Sequence, residues 1–295
     1  MARPELRKML ENGEMVLAPA VWDAVTARLM RHMGFKVLYT PGSGTGVIIG
    51  EGEPLLTITD KAIVAERVSE GVDDELPVIV DIECGYGNPV HIQSAIRTLE
   101  DAGVTAIHIE DQLYPQRVSY FRGVEHVIPI DEYQQRIEYA VKARRSKDFL
   151  IIARNDVYHS VEGGGDRQQA VQRAEAALEA GADAIFITGM KGPEDMEFFR
   201  RAVPDVPQAM VAGTKGPTGM SVEAYKSMGY QILLYIFTLH ASLGAIYDTY
   251  KSVKETGYLP SSSTDTQQNF MSLASTLLDF EEKWAVEAAT TESGR

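Results

Sequence analysis

The sequence predicts a (β/α)₈ barrel, and three observations carry that expectation. Short, continuously apolar strands alternate with amphipathic helices, the pattern of a parallel sheet covered by helices. One join recurs four times: a helix ends on glycine and a buried strand follows within two or three residues, at Gly34, Gly103, Gly181 and Gly229. Eight such units fit in 295 residues, which favours a closed barrel over an open doubly wound sheet.

The elements follow in order. A helix signal spans Glu5 to Asn12, and Met15 to Pro19 reads as the first strand. Trp22 to Met33 has apolar residues at helical spacing and stops at Gly34, before the strand Phe35 to Tyr39. Further strands fit Val78 to Val80, Thr105 to Ile109, Phe149 to Ala153, Ala184-Ile185, Ala209 to Val211 and Ile232-Leu233. Helices fit Lys61 to Glu70, His91 to Asp101, Asp131 to Arg144, Arg167 to Glu179, Glu194 to Ala202 and Val222 to Ser227. Residues 1–258 are therefore expected to form the barrel, and residues 259–295 a linker plus a C-terminal helix. That helix, Gln267 to Ala289, carries Phe270, Leu273, Leu277, Leu278 and Trp284 as apolar members. It packs either on a partner subunit or back on its own barrel.

Composition narrows the function. A hydrophobic content of 44% and a charged content of 24% are ordinary for a globular protein. No run approaches the roughly 18 apolar residues of a membrane helix. The formal charge of −14 argues against a nucleic-acid partner. Cys84 is the only cysteine, and the opening residues show no apolar signal core, so a reducing cytoplasm is the expected setting. An anionic substrate would need a local positive centre, a metal or well-placed arginines.

Chemistry concentrates where strands end. Asp81 and Glu83 close one apolar run and, at i and i+2 of a strand, would share a face. Glu110 and Asp111 close another. Any one of these acids alone is better read as a helix cap. Carboxylates gathered at two strand ends are a Mg²⁺ site in the making, because without a cation they would raise one another's pKa. Gly42-Ser43-Gly44 and Arg154 also follow strands, on the rim where such barrels place their chemistry. The glycine segment lacks the lysine of a phosphate loop and the dinucleotide fingerprint, which excludes a nucleotide cofactor. Cys84 alternates away from Asp81 and Glu83 if the strand continues, and reads as a packed thiol.

Five blocks in order resemble the isocitrate lyase and phosphoenolpyruvate mutase superfamily: Trp22-Asp23-Ala24, Tyr39 to Gly44, Asp81 to Gly87, His108 to Gln112, and Ile152 to Asp156. The resemblance covers roughly Pro19 to Tyr250. It implies a barrel whose final helix is exchanged between subunits of a homodimer or homotetramer. It also implies Mg²⁺, with Mn²⁺ as a substitute, and a small 2-oxo or 2-hydroxy carboxylate substrate. Carried over, Asp81, Glu83 and Glu110 hold the metal directly or through water. Tyr39, Gly42 and Ser43 bind the substrate, and Arg154 anchors its carboxylate, where a bidentate fork would suit it.

Several positions depart from the family pattern. The lyases' catalytic cysteine segment is replaced by Pro115 to Tyr120, Glu83 stands for an aspartate, Pro41 for a serine, and Thr188 for a glutamate. Ala212-Gly213 stands where an asparagine is usual. The long loop from Gln112 to Pro129 is expected to act as a lid and to supply a replacement acid, with Tyr120 and His126 as candidates beside Arg154. The expected reaction is Mg²⁺-dependent cleavage of a carbon–carbon bond, by retro-aldol or decarboxylation, through a metal-stabilised enolate. The alternatives are phosphorus–carbon hydrolysis or mutation of the phosphonopyruvate type, and a barrel that binds a metabolite without turnover.

Overall fold

The structure is a computed structural model that describes residues 5–118, 122–213, 218–260 and 272–290. Eight parallel strands are present: β1 (Val16–Pro19), β2 (Leu38–Thr40), β3 (Val78–Asp81), β4 (Ala106–Ile109), β5 (Leu150–Asn155), β6 (Ala184–Ile187), β7 (Ala209–Val211) and β8 (Ile232–Tyr235). Ladders join β2 through β6 in sequence, and β8 lies between β1 and β7. Parallel bridges Ala20 to Tyr39 and Ile185 to Gln208 close the two gaps, completing the ring. The four helix-stop glycines, Gly34, Gly103, Gly181 and Gly229, all have positive φ between 79° and 96°. Only glycine adopts that conformation without steric cost, so each stop is set by the sequence.

Alternation along the strands separates two cores. Leu38, Val78, Val80, Ile107, Ile109, Ile151, Ala153 and Ile185 pack outward against the helices. Tyr39, Ile79, Ala106, Leu150, Ile152, Ala184, Phe186, Ile232 and Leu234 fill the interior. Leu6, Met9 and Leu10 of the first helix, Leu6–Glu11, belong to that interior cluster and plug the barrel at the N-terminal ends of the strands. Burying each is worth roughly 1.5–3 kcal/mol. The same alternation, continued toward the C-terminal ends, turns Asp81, His108, Glu110, Arg154 and Asp156 to the inside.

One expected loop is a helix. Gly42–Ile49 forms an α-helix directly after β2, although its glycines are poor helix formers. Tertiary packing overrides propensity here. A Cβ at Gly46 would lie 2.8 Å from the Glu51 carbonyl, and one at Gly44 2.8 Å from the Pro41 ring. Only a helix without side chains at these positions approaches so closely. The next helix, Ile58–Gly71, begins three residues before its expected start, because Thr57 and Asp60 form a reciprocal capping box.

The chain forms two compact units, Met1–Phe237 and Thr238–Arg295. The division expected after residue 258 would leave the helix Thr238–Thr256 with the barrel; here it groups with the C-terminal residues. In the second unit Leu243, Ile246, Tyr247 and Tyr250 are exposed along that helix. The C-terminal helix is interrupted at Asp279, whose φ is +53°, and resumes as Phe280–Thr290 with Trp284 exposed. Phe270 lies outside the described residues. Among the described residues no helix is long and apolar enough to cross a membrane.

Candidate active site

The mouth of the barrel is built from strand ends. Asp81 ends β3, and there the strand stops: Glu83 has φ +50°, so the two acids do not share a face by strand alternation. A turn brings them together instead. The Glu83 N–H donates to Asp81 Oδ1 at 2.9 Å, and the Glu110 N–H donates to the Glu83 carbonyl at 2.9 Å. Cys84 is buried, and burial pushes its thiol pKa up, in keeping with a packed thiol.

Glu53 completes the group. It opens a one-turn 3₁₀ helix, Glu53–Leu55, carried in by the glycine helix before it. One carboxylate oxygen each from Glu53, Asp81 and Glu83 lies within 4.8 Å of the others, and all three residues are buried. Gly42 seats this group. Its N–H donates to Asp81 Oδ2 at 3.2 Å, and a Cβ there would come within 2.0 Å of Glu53 Oε1. Ser43 beside it is half-buried.

Glu110 lies across from this group. Its side chain is fully buried, and among the described residues neither oxygen accepts a hydrogen bond, although Arg154 Nη1 stands 2.9 Å from Oε2. Arg154 Nη1 is also 3.8 Å from Asp81 Oδ2. The guanidinium fork expected for the substrate is already engaged: Nε and Nη2 each donate to Asp156 at 2.9 Å. That corrects the bidentate role, because the edge matching a carboxylate is held by the protein's own. The Nη1 corner remains turned to the acids. Gln112 and Thr188 also donate to Asp156, which fixes the arginine's orientation. Asp111 faces away from this cluster, bonded to Arg173 and to the Asp156 N–H.

His108, inward on β4, joins the set. Its Nε2 lies 2.8 Å from the Tyr39 hydroxyl and its Nδ1 3.6 Å from Asp81 Oδ1. Burial lowers its pKa to about 4 despite Asp81, so the ring is neutral at pH 7. Burial pushes the Glu83 pKa up, and the Lys61 ammonium, whose Nζ is 2.7 Å away, opposes that rise and favours the charged form. Burial also lifts Glu110 well above the carboxylate range, with Asp156 and Asp81 adding to the rise and Arg154 opposing it. For Asp81, burial is outweighed by His108, Lys61 and Arg154, and its pKa falls. Asp156 falls to about 2, as Arg154 outweighs burial.

These residues fit a divalent cation. Hard oxygen donors are gathered and buried, a glycine leaves room beside them, and Glu110 offers two oxygens that no donor satisfies. Carboxylates pushed up by burial and mutual repulsion are the groups that a bound cation would restore to the charged form.

The lid candidates separate. His126 is half-exposed and its Nδ1 is 2.7 Å from Glu162; it is not among the residues brought together. Loop side chains have no strand alternation to aim them, so sequence position alone does not fix its direction. Tyr120 lies outside the described residues. The root of the loop is tied to the site, since the Arg117 N–H donates to Gln112 Oε1 and Gln112 to Asp156. Farther along, Glu125 pairs with His159 of the next loop, at 2.6 Å.

Glu53, His108, Lys61 and Asp156 were not singled out from sequence. For His108 and Asp156 the signal was available: each is two residues from Glu110 or Arg154 along its strand line, the spacing that places side chains on one side. For Glu53 there was none, since no strand precedes it.

Residues 6–254 match the family described as Phosphoenolpyruvate phosphomutase. The chain is 34% identical to the 2-methylisocitrate lyase of Aeropyrum pernix, over 85% of this chain and 80% of that protein. Among solved structures, 2,3-dimethylmalate lyase superposes with a TM-score of 0.84 at 28% identity, covering 99% of this chain and 96% of that one. Phosphonopyruvate hydrolase in complex with oxalate and Mg²⁺ superposes with a TM-score of 0.82 at 26% identity, covering 98% of each.

Proposed function

Because the chain belongs to the phosphoenolpyruvate mutase/isocitrate lyase superfamily, we propose that it is a Mg²⁺-dependent lyase that cleaves a carbon–carbon bond in a small 2-oxo or 2-hydroxy (di)carboxylic acid. The observation that carries this reading is the gathering of Glu53, Asp81 and Glu83, all buried, with Glu110 joined to them through Arg154 Nη1. Asp81, Glu83 and Glu110 remain the proposed metal residues, directly or, as for Glu83 beside Lys61, through water, with Glu53 added; Mn²⁺ would substitute. When bound, a divalent ion supplies Lewis-acid relief of the negative charge that grows on the oxygen beside the breaking bond, worth several kcal/mol.

The chain's own groups do the rest. Arg154, held by Asp156, presents Nη1 to an anionic substrate without swinging, so little orientation entropy is lost on binding. The N-terminal turn of Gly42–Ile49, including Ser43, offers backbone N–H groups to a substrate carboxylate. Tyr39 and the neutral His108 supply a hydrogen-bonding edge next to Asp81. Tyr120 is our candidate for the acid that protonates the carbanionic product, on a loop rooted at the site through Gln112. We further propose that the C-terminal helix is exchanged in a homodimer or homotetramer, on the support of the exposed apolar residues of Thr238–Thr256.

Incubating the protein with Mg²⁺ and a panel of branched hydroxy-di- and tricarboxylates tests the reading. Release of pyruvate, glyoxylate or another short 2-oxo acid is the expected result, abolished by chelation. Phosphate released from phosphonopyruvate would instead select the phosphorus–carbon reading, which the likeness to phosphonopyruvate hydrolase keeps in view. Metal-dependent oxalate binding with no turnover of any acid would select a non-catalytic metabolite-binding barrel.

A further inference from the structure

The proposed reaction leaves one buried charge at the mouth without a role. Lys61, on the helix Ile58–Gly71, has a side chain with no solvent exposure, and its Nζ stands 2.7 Å from Glu83 Oε1. Lysine is almost never fully buried unless paired, because stripping water from an ammonium is costly. Here both partners are held in place. The Thr57 and Asp60 capping box fixes the helix turn that carries Lys61. The left-handed turn at Glu83, with its N–H on Asp81 and its carbonyl on the Glu110 N–H, fixes the other side.

The three gathered acids are therefore not equivalent. Glu83 is directed at a protein cation, whereas Asp81 accepts the Gly42 N–H and faces His108 and the Nη1 corner of Arg154. Lys61 also lies within electrostatic reach of Asp81 and Glu53. An ammonium in that place neutralises one carboxylate and repels any dication that enters among the others.

We propose that Lys61 sets the metal affinity of this site: its ammonium claims Glu83 as a counter-ion, leaves Asp81 and Glu53 as the principal metal-facing carboxylates, and weakens binding of a divalent cation. The inference rests on the metal-dependent reading of the site. It explains why Glu83 is a glutamate, since the longer side chain reaches the lysine while its backbone stays tied to Asp81.

The test is Mn²⁺ binding to the metal-stripped full chain, followed by electron paramagnetic resonance and calorimetry. Lys61→Met should bind Mn²⁺ at least about tenfold more tightly than the unaltered protein, an ammonium having been removed from beside a dication. Mn²⁺ should also raise the melting temperature of Lys61→Met by more than it raises that of the unaltered protein. Lys61→Arg, which keeps the charge, should bind as the unaltered protein does. In the double variant Lys61→Met/Glu83→Gln both charges are gone, and affinity should stay within about threefold of the starting value or rise, since the two lost charges offset each other. Unchanged or weaker binding by a folded Lys61→Met overturns the proposal. So does a drop of more than about tenfold in the double variant, which would make Glu83 a direct ligand. If Lys61→Met does not fold, the double variant decides. No Mn²⁺ binding by the unaltered protein would overturn the metal reading itself, whereas normal binding with an indifferent Lys61→Met overturns only the role of the lysine.

Discussion

The two ends of the barrel handle charge in opposite ways. At the N-terminal end, Asp183 accepts from Arg7 at 2.8 Å, from Arg144 at 2.5 Å and from the Ile151 N–H at 2.8 Å, so its charge is met on several sides. Behind it the plug of Leu6, Met9 and Leu10 seals an apolar interior. At the C-terminal end, among the described residues, the acids Glu53, Asp81, Glu83, Glu110 and Asp156 outnumber the cations Lys61 and Arg154, and Glu110 accepts no hydrogen bond. A buried acid with too few cations around it is met by a proton, as the raised Glu110 pKa records, or by a cation from outside. On the proposed reading, function sits at one end and stability at the other.

Aspartates from the two ends give the sharpest test of that division. Asp81→Ala should abolish Mn²⁺ binding and lower kcat/KM by about 10³-fold or more, the scale of a lost metal site. Asp183→Ala should leave turnover intact and lower stability by about 3 kcal/mol, since it strands the Arg144 guanidinium and the Ile151 N–H. Equal losses of activity in both would dissolve the contrast. Next in size, Leu10→Ala in the plug should cost about 2–4 kcal/mol in denaturant melts, with the metal affinity of the folded protein unchanged.

Gly42→Ala comes third. Its methyl group would be driven into the Glu53 carboxylate, so Mn²⁺ affinity and kcat/KM should fall by about 10–100-fold, while stability drops by only about 1–2 kcal/mol. A variant that loses stability but binds metal normally would move Glu53 out of the site.

The smallest effect concerns pH and the loops above the mouth. Burial tends to lower the His159 pKa, but the Glu125 hydrogen bond and the charges of Asp156 and Glu125 prevail and raise it above its ordinary value. A raised histidine pKa gives stabilisation that is complete below about pH 6.5, the unfolded value, and is lost as pH climbs through the folded one. Melting temperatures recorded from pH 5.5 to 8.5 should show this decline, and Glu125→Gln should flatten it. A slope that survives the substitution would assign it to another group.

Much of this was legible in the sequence, for identifiable reasons. The eight strands announced themselves as continuous apolar runs, because both faces of each strand are buried, and the four stop glycines marked where helices had to end. Asp81, Glu110 and Arg154 could be placed on the rim because each ends or follows such a run. Glu53 could not, since it reaches the site through a glycine helix whose residues argue for a loop. Lys61 was hidden for a related reason: on an amphipathic helix a lysine reads as solvent-facing, and only the carboxylate across from it explains its burial. His126 is the converse case, a chemically suitable side chain whose direction nothing local determines.

The inward alternation that runs from Leu150 through Ile152 to Arg154 and Asp156 has a wider meaning. Asp81 and Arg154 stand on the top storey of the same stacked interior that supports the fold, each one rung above an aliphatic neighbour, Ile79 and Ile152, on its own strand. Single side chains on that storey can therefore be exchanged, as Thr188 two residues beyond the inward Phe186 illustrates, while the floors beneath keep their architecture.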